Sequence, residues 1–250
     1  MLGRETNLFY AEGMRLTQNH ADILHSLDRF GQLDSHHIRR LHFPSAKSRT
    51  SFARAQAQLV RDKFVVRMGQ RTVQGDGKGS GPAVYQLGVN GWQYLGKRGK
   101  FRPRFTAISE HRLRVADVFQ QLCEREDKGE IKIRGYYCEP DTHMRLSGVT
   151  VRPDFYVELE LVDKGELLSL WIEVDRDNES RQEIEKKLRE YVAVFDGVTA
   201  DEIEVVPRVL FVAETDIGLR NLQGYMHGKL GEYGHMFELM HIDGFANRLE

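Results

Sequence analysis

The sequence is poor in the features that define disulfide-bonded and membrane proteins. It has two cysteines in 250 residues, Cys123 and Cys138, and neither has the spacing of a metal-binding motif. No apolar run is long enough to span a bilayer, and Met1 precedes a polar segment of mixed charge instead of a signal peptide. We therefore expect reduced cysteines, no membrane partner and a cytoplasmic location.

The net charge of -1 conceals an asymmetry between the two halves of the chain. Residues 1–108 contain 18 Lys and Arg against 7 Asp and Glu, a balance of +11. Residues 109–250 contain 18 against 30, a balance of -12. A basic half beside an acidic half is typical of a protein that meets a polyanion with one of its parts. The alternative is two solvated surfaces that attract each other, so the arrangement of the basic residues must distinguish the two.

The basic half predicts three short helices followed by a β-hairpin. An apolar stripe from Ile23 to Phe30 marks the first helix, which Gly31 ends. The second helix stops at Pro44, and the third covers about residues 48–62. Two β-like runs, "FVVRM" and "AVYQLG", then flank the glycine-rich segment "GDGKGSG", which lacks the spacing of a P-loop. This order predicts a winged helix-turn-helix.

The candidate DNA-binding residues lie on the third helix, on the hairpin and in the segment that follows. In a winged helix the third helix enters the major groove, and the hairpin touches the backbone. Residues 90–108 interleave basic and aromatic residues with glycines, which predicts a linker that tracks phosphates, with a solvated connector as the alternative. Basic side chains contact phosphates, whereas Thr and Gln also reach base edges. The candidates are Lys47, Arg49, Thr50, Arg54, Gln56, Arg71, Lys78, Lys97, Arg98, Lys100, Arg102 and Arg104.

The acidic half predicts a mixed sheet flanked by helices. "SEHRLRVADVFQQLCERE" has the apolar periodicity of a helix. Three strands follow, "EIKIRGYYCEP", "VTVRPDFYVELEL" and "GELLSLWIEVD", and the turn "VDKG" joins the last two. The helix "SRQEIEKKLREYVAVF" and the apolar strand "PRVLFVAE" complete an αβββαβ order, and a further helix and a short strand come after it. This order defines an α+β or α/β fold.

Three carboxylates fall near the strand ends of this half. Glu173 and Asp175 are two residues apart, so a strand places both on one face. Asp154 follows Pro153 in the preceding strand, and antiparallel pairing can bring it beside them. Gathered carboxylates repel each other unless a cation neutralises them, and Mg²⁺ prefers such oxygen ligands. The pattern therefore predicts Asp154, Glu173 and Asp175 as ligands of Mg²⁺ or Mn²⁺, which would activate a water.

The ordered set of motifs resembles a known family. "RPD" at 152–154 and "EVD" at 173–175, in this helix–strand order, resemble the PD-(D/E)XK nuclease superfamily. More narrowly, the winged helix followed by "SEHRLRVADVF", "VRPDFYVEL" and "WIEVDRDNES…EKKLREYVAVF" resembles the replication-relaxation family of plasmids and mobile elements, over residues 18–215. The resemblance implies a restriction-endonuclease-like domain. The predicted division is an N-terminal extension at 1–18, a winged helix at 19–89, a basic linker at 90–108 and the nuclease-like domain at 109–250.

One position departs from the superfamily pattern. Its members carry a lysine two positions after the glutamate, where this chain has Asp175. The resemblance assigns that lysine's role, which is to orient the water and stabilise the pentavalent phosphate, to Lys186 or Lys187 on the following helix. Since Lys187 lies four residues before Tyr191, one of the pair should face the sheet. Two solvated helix charges are the alternative, and Glu110 is either a further ligand or a partner of the helix dipole.

These features predict a DNA-binding protein of plasmid or mobile-element processing. The first hypothesis is a Mg²⁺-dependent endonuclease or nickase that the winged helix targets to double-stranded DNA, with Asp154, Glu173, Asp175, Lys186 and Lys187 as catalytic residues. The second is a transcriptional or replication regulator whose inactive nuclease-like domain serves as a homodimer or partner contact. The third is an accessory factor that recruits a relaxase or a replication initiator. Each hypothesis places the protein at the cytoplasmic nucleoid.

Overall fold

The computed structural model describes residues 16–44, 49–72 and 81–249, whose helices and strands form a mixed α+β protein. The chain divides into two units, Met1–Leu113 and Arg114–Glu250. Neither Cys123 nor Cys138 is in a disulfide bond. Within the described residues, no helix is long and apolar enough to cross a membrane. The predicted extension, up to residue 15, and the tip of the predicted wing lie outside the described residues.

The described part of the first unit contains helices and a three-stranded antiparallel sheet. In chain order its elements are α1 (Gln18–Phe30), β1 (Leu33–Asp34), α2 (Ser35–His42), α3 (Arg49–Arg61), β2 (Val65–Gln70), β3 (Ala83–Leu87) and α4 (Val89–Tyr94). The strands have the order β1-β3-β2, so β2 and β3 pair as the predicted hairpin. The three predicted helices are confirmed, in the predicted order.

Capping residues explain where the first two helices begin and end. At the start of α1, Thr17 accepts a hydrogen bond from the backbone N–H of His20. Gly31 ends the helix with φ +80°, a left-handed conformation in which a side chain would be strained. Asp34 then caps α2 by accepting from the N–H groups of its first turn. These caps separate α1 from α2 within a few residues.

Residues 90–108, which the sequence predicts as a basic linker, fall within the first unit. Their first part continues α4, and the following backbone is held by two buried glutamine side chains. Gln86 donates to the carbonyl of Phe105 at 2.9 Å and accepts from its N–H at 3.1 Å. Gln32 bonds in the same way to the backbone of residues 107 and 109. Buried amides need such partners, so this segment packs onto the unit that precedes it.

The second unit is built on a five-stranded mixed sheet. Its elements are α5 (Glu110–Asp127), which begins before the unit boundary, β4 (Ile131–Cys138), β5 (Met144–Leu146), β6 (Val149–Val151), β7 (Phe155–Leu161), β8 (Glu166–Asp175), α6 (Arg181–Gly197), β9 (Arg208–Ala213), α7 (Asp216–Met226) and β10 (Phe237–His241), with 3-10 helices at Gly231–Met236 and Phe245–Arg248. The strand order is β10-β9-β8-β7-β4. Strands β4, β7 and β8 pair antiparallel, whereas β8, β9 and β10 pair parallel. The predicted elements follow one another as expected, with strand β5 as an unpredicted addition.

Both faces of this sheet carry a buried aromatic contact. On one face, Phe155 of β7 meets Phe119 of α5, with ring centroids 5.9 Å apart. On the other, Trp171 of β8 meets Tyr191 of α6 at 5.6 Å. Since alternate residues of a strand point to opposite faces, positions 173 and 175 share the side of Trp171. The carboxylates of β8 therefore lie on the face that α6 covers.

The predicted strand "VTVRPDFYVELEL" is in fact two strands separated by residues 152–154. Pro153 has no N–H for the strand ladder, and the backbone leaves the extended pairing at that point. Strand β6 pairs with β5, whereas β7 joins the main sheet. The prediction that Asp154 lies within a strand is therefore wrong, because this residue immediately precedes β7.

Candidate functional site

Asp154 and Glu173 lie next to each other at neighbouring strand ends. Strands β7 and β8 pair so that Phe155 faces Ile172, which places the preceding Asp154 beside Glu173. Asp154 Oδ2 accepts a hydrogen bond of 2.8 Å from the backbone N–H of Val174. The two acidic residues are 9% and 2% exposed. The structure thus brings together two of the predicted site residues in a buried position.

Glu173 is held on both of its oxygens by side chains of α6. Its Oε2 accepts from Lys187 Nζ at 2.9 Å, and its Oε1 accepts from the Tyr191 hydroxyl at 2.5 Å. Lys187 and Tyr191 are four residues apart, so one face of the helix supplies both donors. The Lys187 ammonium also donates to Glu179 Oε1 at 2.7 Å. It therefore bridges a buried carboxylate and a half-buried one.

Of the two candidate lysines, Lys187 is the one that reaches the carboxylates. Lys186 has a side chain that is 67% exposed, and its Nζ lies 3.7 Å from Glu190 Oε1. Adjacent residues of an α-helix face different directions, so the two lysines cannot both turn toward the sheet. The prediction that one of them faces the sheet is confirmed for Lys187.

Burial and crowded negative charge perturb the acid–base properties of this group. Burial raises the pKa of Glu173 to about 7, and the charge of Asp154 raises it as well, while Lys187 and Tyr191 act in the opposite direction. Burial alone would lower the pKa of Lys187, but Glu173, Asp154 and Glu179 raise it above its ordinary value. Lys187 therefore stays protonated and supplies the neutralising charge. Strong shifts of this kind in a cleft are a mark of functional sites.

Asp175 lies further along the same face and is held separately. Its Oδ1 accepts a hydrogen bond of 3.1 Å from the N–H of Asp177, and burial raises its pKa to about 6. In the part of the chain that the structure describes, no three or more His, Cys, Asp and Glu side chains are grouped to hold a metal ion. Asp175 is bonded within the turn after β8, and its place in the predicted ligand set stays a prediction. The pair formed by Asp154 and Glu173 remains.

This pair has the donor chemistry of a magnesium site. Mg²⁺ retains several of its waters and often binds through one or two carboxylates together with phosphate oxygens of a substrate. Each carboxylate oxygen has two lone pairs, so the bonds from Lys187 and Tyr191 leave acceptor capacity on both oxygens of Glu173. A divalent cation would also offset the repulsion that raises the pKa of Glu173. Mg²⁺ and Mn²⁺ therefore both suit these two residues.

A cleft of about 250 Å³ opens beside the pair. Its lining includes Glu173, Lys187 and Tyr191, together with the exposed side chain of Arg152. Three cations line the cleft, Arg152, Lys186 and Lys187, together with the carboxylates of Glu173, Glu179, Glu183 and Glu190. Its cations are the groups that could contact a phosphate. We call this cleft and the residues Asp154, Glu173 and Lys187 the carboxylate–lysine site.

Two residues of this site have no functional role in the sequence prediction. Tyr191 entered it only as a marker of the sheet-facing side of α6, although its spacing of four from Lys187 would have been enough to find it. Glu179 lies in the loop before α6, where no periodic pattern connects it to Lys187. Its role therefore depends on how the loop folds and could not be read from spacing.

In the first unit, several candidate DNA-binding residues are exposed. Thr50 and Arg54 lie on the solvent side of α3. Arg98, Lys100 and Arg102 are exposed as well, and among the described residues they form no ion pair. Cations that are exposed and not neutralised are the kind that contact phosphates.

Other candidates of the first unit are engaged or lie outside the described residues. Lys97 Nζ pairs with Asp28 Oδ1 at 2.7 Å, and Arg104 donates to the carbonyl of Asp28 at 3.2 Å. Gln56 is half-buried, with its amide nitrogen shielded from solvent. The positions that are not described are Lys47, Lys78 and the side chain of Arg49.

Arg71 is buried, whereas the sequence predicts a DNA contact for it. Its guanidinium lies 3.2 Å from Asp34 Oδ2 and 3.1 Å from Glu110 Oε2, and its side chain is 10% exposed. Burial would raise the pKa of Asp34, but His37 and Arg71 hold it at about 2. The structure assigns Arg71 to this internal network instead of to an exposed surface. Glu110, the further candidate ligand, is used as one of its partners.

These features define an α+β protein that joins a unit with exposed cations to a unit with a buried carboxylate–lysine site. The family model described as replication-relaxation matches residues 24–209, which are 186 of the 250 residues. The chain therefore belongs to the replication-relaxation family, and the predicted resemblance to this family is confirmed. Membership of this family suggests a role in the replication or relaxation of a plasmid or mobile element. No curated protein and no solved structure matches the chain.

Proposed function

We propose that the protein processes the DNA of a plasmid or mobile element as a metal-dependent endonuclease or nickase. In this proposal the first unit is a winged helix that binds double-stranded DNA, and the second unit is a nuclease-like domain of the PD-(D/E)XK type. The observation that carries the proposal is the meeting of Asp154, Glu173 and Lys187 in one buried group. Paired carboxylates beside a protonated lysine provide the charges that phosphodiester hydrolysis requires.

Each residue of the site has a part in this chemistry. Asp154 and Glu173 would hold Mg²⁺ or Mn²⁺, which when bound polarises the phosphoryl group and lowers the pKa of a water. Lys187 keeps its proton because carboxylates surround it, so its Nζ can stabilise the negative charge that develops on a phosphate oxygen. Tyr191 and the N–H of Val174 orient the two carboxylates through the bonds that they donate. The site is therefore organised before DNA arrives.

The first unit would supply the affinity for DNA. Arg54 on α3 and the cations at 98, 100 and 102 are exposed, which supports contacts with phosphates. Thr50 is exposed at the start of α3, where a recognition helix meets base edges or backbone. Phosphate contacts of this kind depend strongly on salt, so binding should weaken steeply as the salt concentration rises.

Nicking of supercoiled plasmid tests the proposal. The purified chain is incubated with plasmid and Mg²⁺, Mn²⁺ or a chelator, beside Asp154→Asn, Glu173→Gln and Lys187→Ala. We expect open-circular or linear DNA that requires metal, and a loss of about a hundredfold or more in each variant because each removes a charge from the site. Lys186→Ala is the matched control, since it removes the neighbouring lysine, which lines the same cleft but is 67% exposed and pairs with Glu190 instead of Glu173, and it should retain most of the parental rate.

Two results would contradict the assignment. Activity that survives all three substitutions would come from another site or another protein in the sample. An equal loss in Lys186→Ala would show that a general reduction of positive charge, and not the position of Lys187, lowers the rate. Binding of labelled duplex DNA, measured by fluorescence anisotropy, shows whether each variant still reaches its substrate.

A DNA-binding regulator is the second candidate, and one observation favours it. Both oxygens of Glu173 are bonded within the chain, and Lys187 is already paired with two carboxylates. A site whose charges are neutralised in this way can be stable without catalysing a reaction. The second unit would then serve a homodimer or contact a relaxase or replication initiator at the cytoplasmic nucleoid. Duplex binding by the parent and by every variant, without nicking by any of them, would favour this candidate.

A further inference from the structure

A second cavity, of about 870 Å³, lies in the second unit and shares no lining residue with the cleft of the carboxylate–lysine site. Its lining comes from β4, β7 and β8, from Met144 of β5 and from the loops at residues 141–142 and 203–205. We call this cavity the sheet groove. Nothing in the proposed hydrolysis of DNA uses it.

The sheet groove gathers exposed apolar side chains. Tyr137, Leu167 and Val205 are 53%, 76% and 60% exposed, and all three line the groove. The rings of Tyr137 and Tyr156 lie side by side, with centroids 6.1 Å apart and planes inclined by 33°. A water-exposed cluster of large apolar side chains is typical of a surface that another molecule covers.

The charges of the groove are mainly negative. Asp141, Glu158 and Glu204 are exposed on its lining. Arg134 is the cation among the lining residues, and its guanidinium is paired with Glu160. The carboxylates would repel the phosphates of a nucleic acid and attract Lys or Arg side chains. Tyrosine faces attract the same cations.

We propose that the sheet groove binds a basic segment of a partner protein in which cationic and apolar side chains alternate. The apolar side chains would contact Leu167 and Val205, while lysine or arginine side chains reach Glu158 and Glu204. The proposal rests on this match of charge and apolar surface, and it does not depend on the proposed nuclease activity. A nucleic acid or a second copy of the chain in the groove would each contradict it.

Binding of a short synthetic peptide tests the proposal. The probe is a fluorescein-labelled peptide that alternates lysine with leucine or phenylalanine, and the full chain is titrated into it at low salt. We expect saturable binding in fluorescence anisotropy, and a loss of affinity of about tenfold or more in the double variant Glu158→Lys, Glu204→Lys. A counterpart peptide with glutamate in place of each lysine should not bind.

A charge-matched double variant separates specific docking from attraction to an acidic protein. Asp163→Lys with Asp243→Lys changes the net charge by the same amount at exposed positions outside the lining of the groove. This control should bind the probe with the parental affinity. Leu167→Ser should weaken binding about fivefold without loss of stability, because its side chain is largely exposed.

Several results would overturn the proposal. These are absence of binding, equal binding of the acidic counterpart, and an equal loss of affinity in the charge-matched control. A dimer in analytical ultracentrifugation that Leu167→Ser dissociates would assign the groove to a second copy of the chain. Single-stranded DNA binding that Leu167→Ser abolishes would assign it to a nucleic acid.

Discussion

Replacing Lys187 with methionine tests how the carboxylate–lysine site is held together. The change removes the ammonium but keeps a long side chain, and it leaves Glu173, which is 2% exposed, without its cation. Breaking a buried ion pair from one side costs about 3–5 kcal/mol. Because the Lys187 side chain is 28% exposed, solvent screens part of the interaction, and we expect a loss of about 2–3 kcal/mol in alkaline solution.

This loss should depend on pH because Glu173 can take up a proton. Its pKa is raised from 4.5 to about 7, so the folded chain binds more protons than the unfolded chain between these values. The contribution of Glu173 to stability therefore falls as the pH rises from about 4.5 to about 7, and it is constant above that range. Without Lys187 the pKa rises further, and the fall continues above pH 7. Each further unit by which the pKa of Glu173 rises lowers the free energy of unfolding by about 1.4 kcal/mol at alkaline pH.

Urea unfolding at acidic and alkaline pH measures the effect. The chain has two tryptophans, so a Trp92→Phe background leaves Trp171 as a fluorescent reporter of the second unit. We expect Lys187→Met to lose less stability near about pH 5, where Glu173 is protonated in both proteins and only the bond to Glu179 is lost, than near about pH 9. Lys186→Met should change stability by less than about 0.5 kcal/mol at either pH. Equal losses for Lys187→Met at both pH values, or a loss no larger than that of the control, would refute the reasoning.

Three further changes test other parts of the chain. Asp175→Asn should stabilise the second unit by about 1–2 kcal/mol near pH 8 and not near pH 4, since burial raises the pKa of Asp175 to about 6; urea unfolding at both pH values checks this. Gly218→Ala should lower the free energy of unfolding by about 1–3 kcal/mol in the same assay, because a β-carbon there would lie 1.8 Å from a carboxylate oxygen of the loop after β8. Gly224→Ala is the control and should not destabilise the second unit, since a β-carbon there would have no atom within 4 Å. Arg71→Met should lower the free energy of unfolding of the first unit by about 3 kcal/mol, because it leaves Asp34 without its cation. Arg54→Met should leave that free energy unchanged and weaken the binding of duplex DNA measured by fluorescence anisotropy.

The elements could be predicted where a local pattern determines them. The apolar stripe of α1 and its glycine stop depend on residues within a few positions of one another, and the structure has them as predicted. The same holds for the strands β7 and β8, whose connection is the predicted turn. Pro153 is the local signal that divides β6 from β7, and the prediction of one strand across it was wrong.

The site could be predicted only in part because it combines local and long-range relations. A strand period of two places Glu173 and Asp175 on one face, and a helix period of 3.6 turns one lysine toward the sheet. The burial of Arg71 depends on contacts with Asp34 and Glu110, which lie 37 and 39 residues away along the chain. No composition or spacing rule distinguishes such a buried cation from one that faces DNA.

The energetics of the carboxylate–lysine site argue that it is retained for a function. Near neutral pH, burial works against ionisation of Glu173 and Asp175, and Lys187 compensates Glu173 from one side only. Apolar side chains of similar volume would stabilise this core at least as well, because a buried ion pair seldom contributes more stability than such a replacement. Sites that violate local rules of packing and charge are typically the ones that bind or react. The position of Lys187 between two carboxylates therefore supports the proposal that this site binds a ligand, and it is not explained by the stability of the sheet alone.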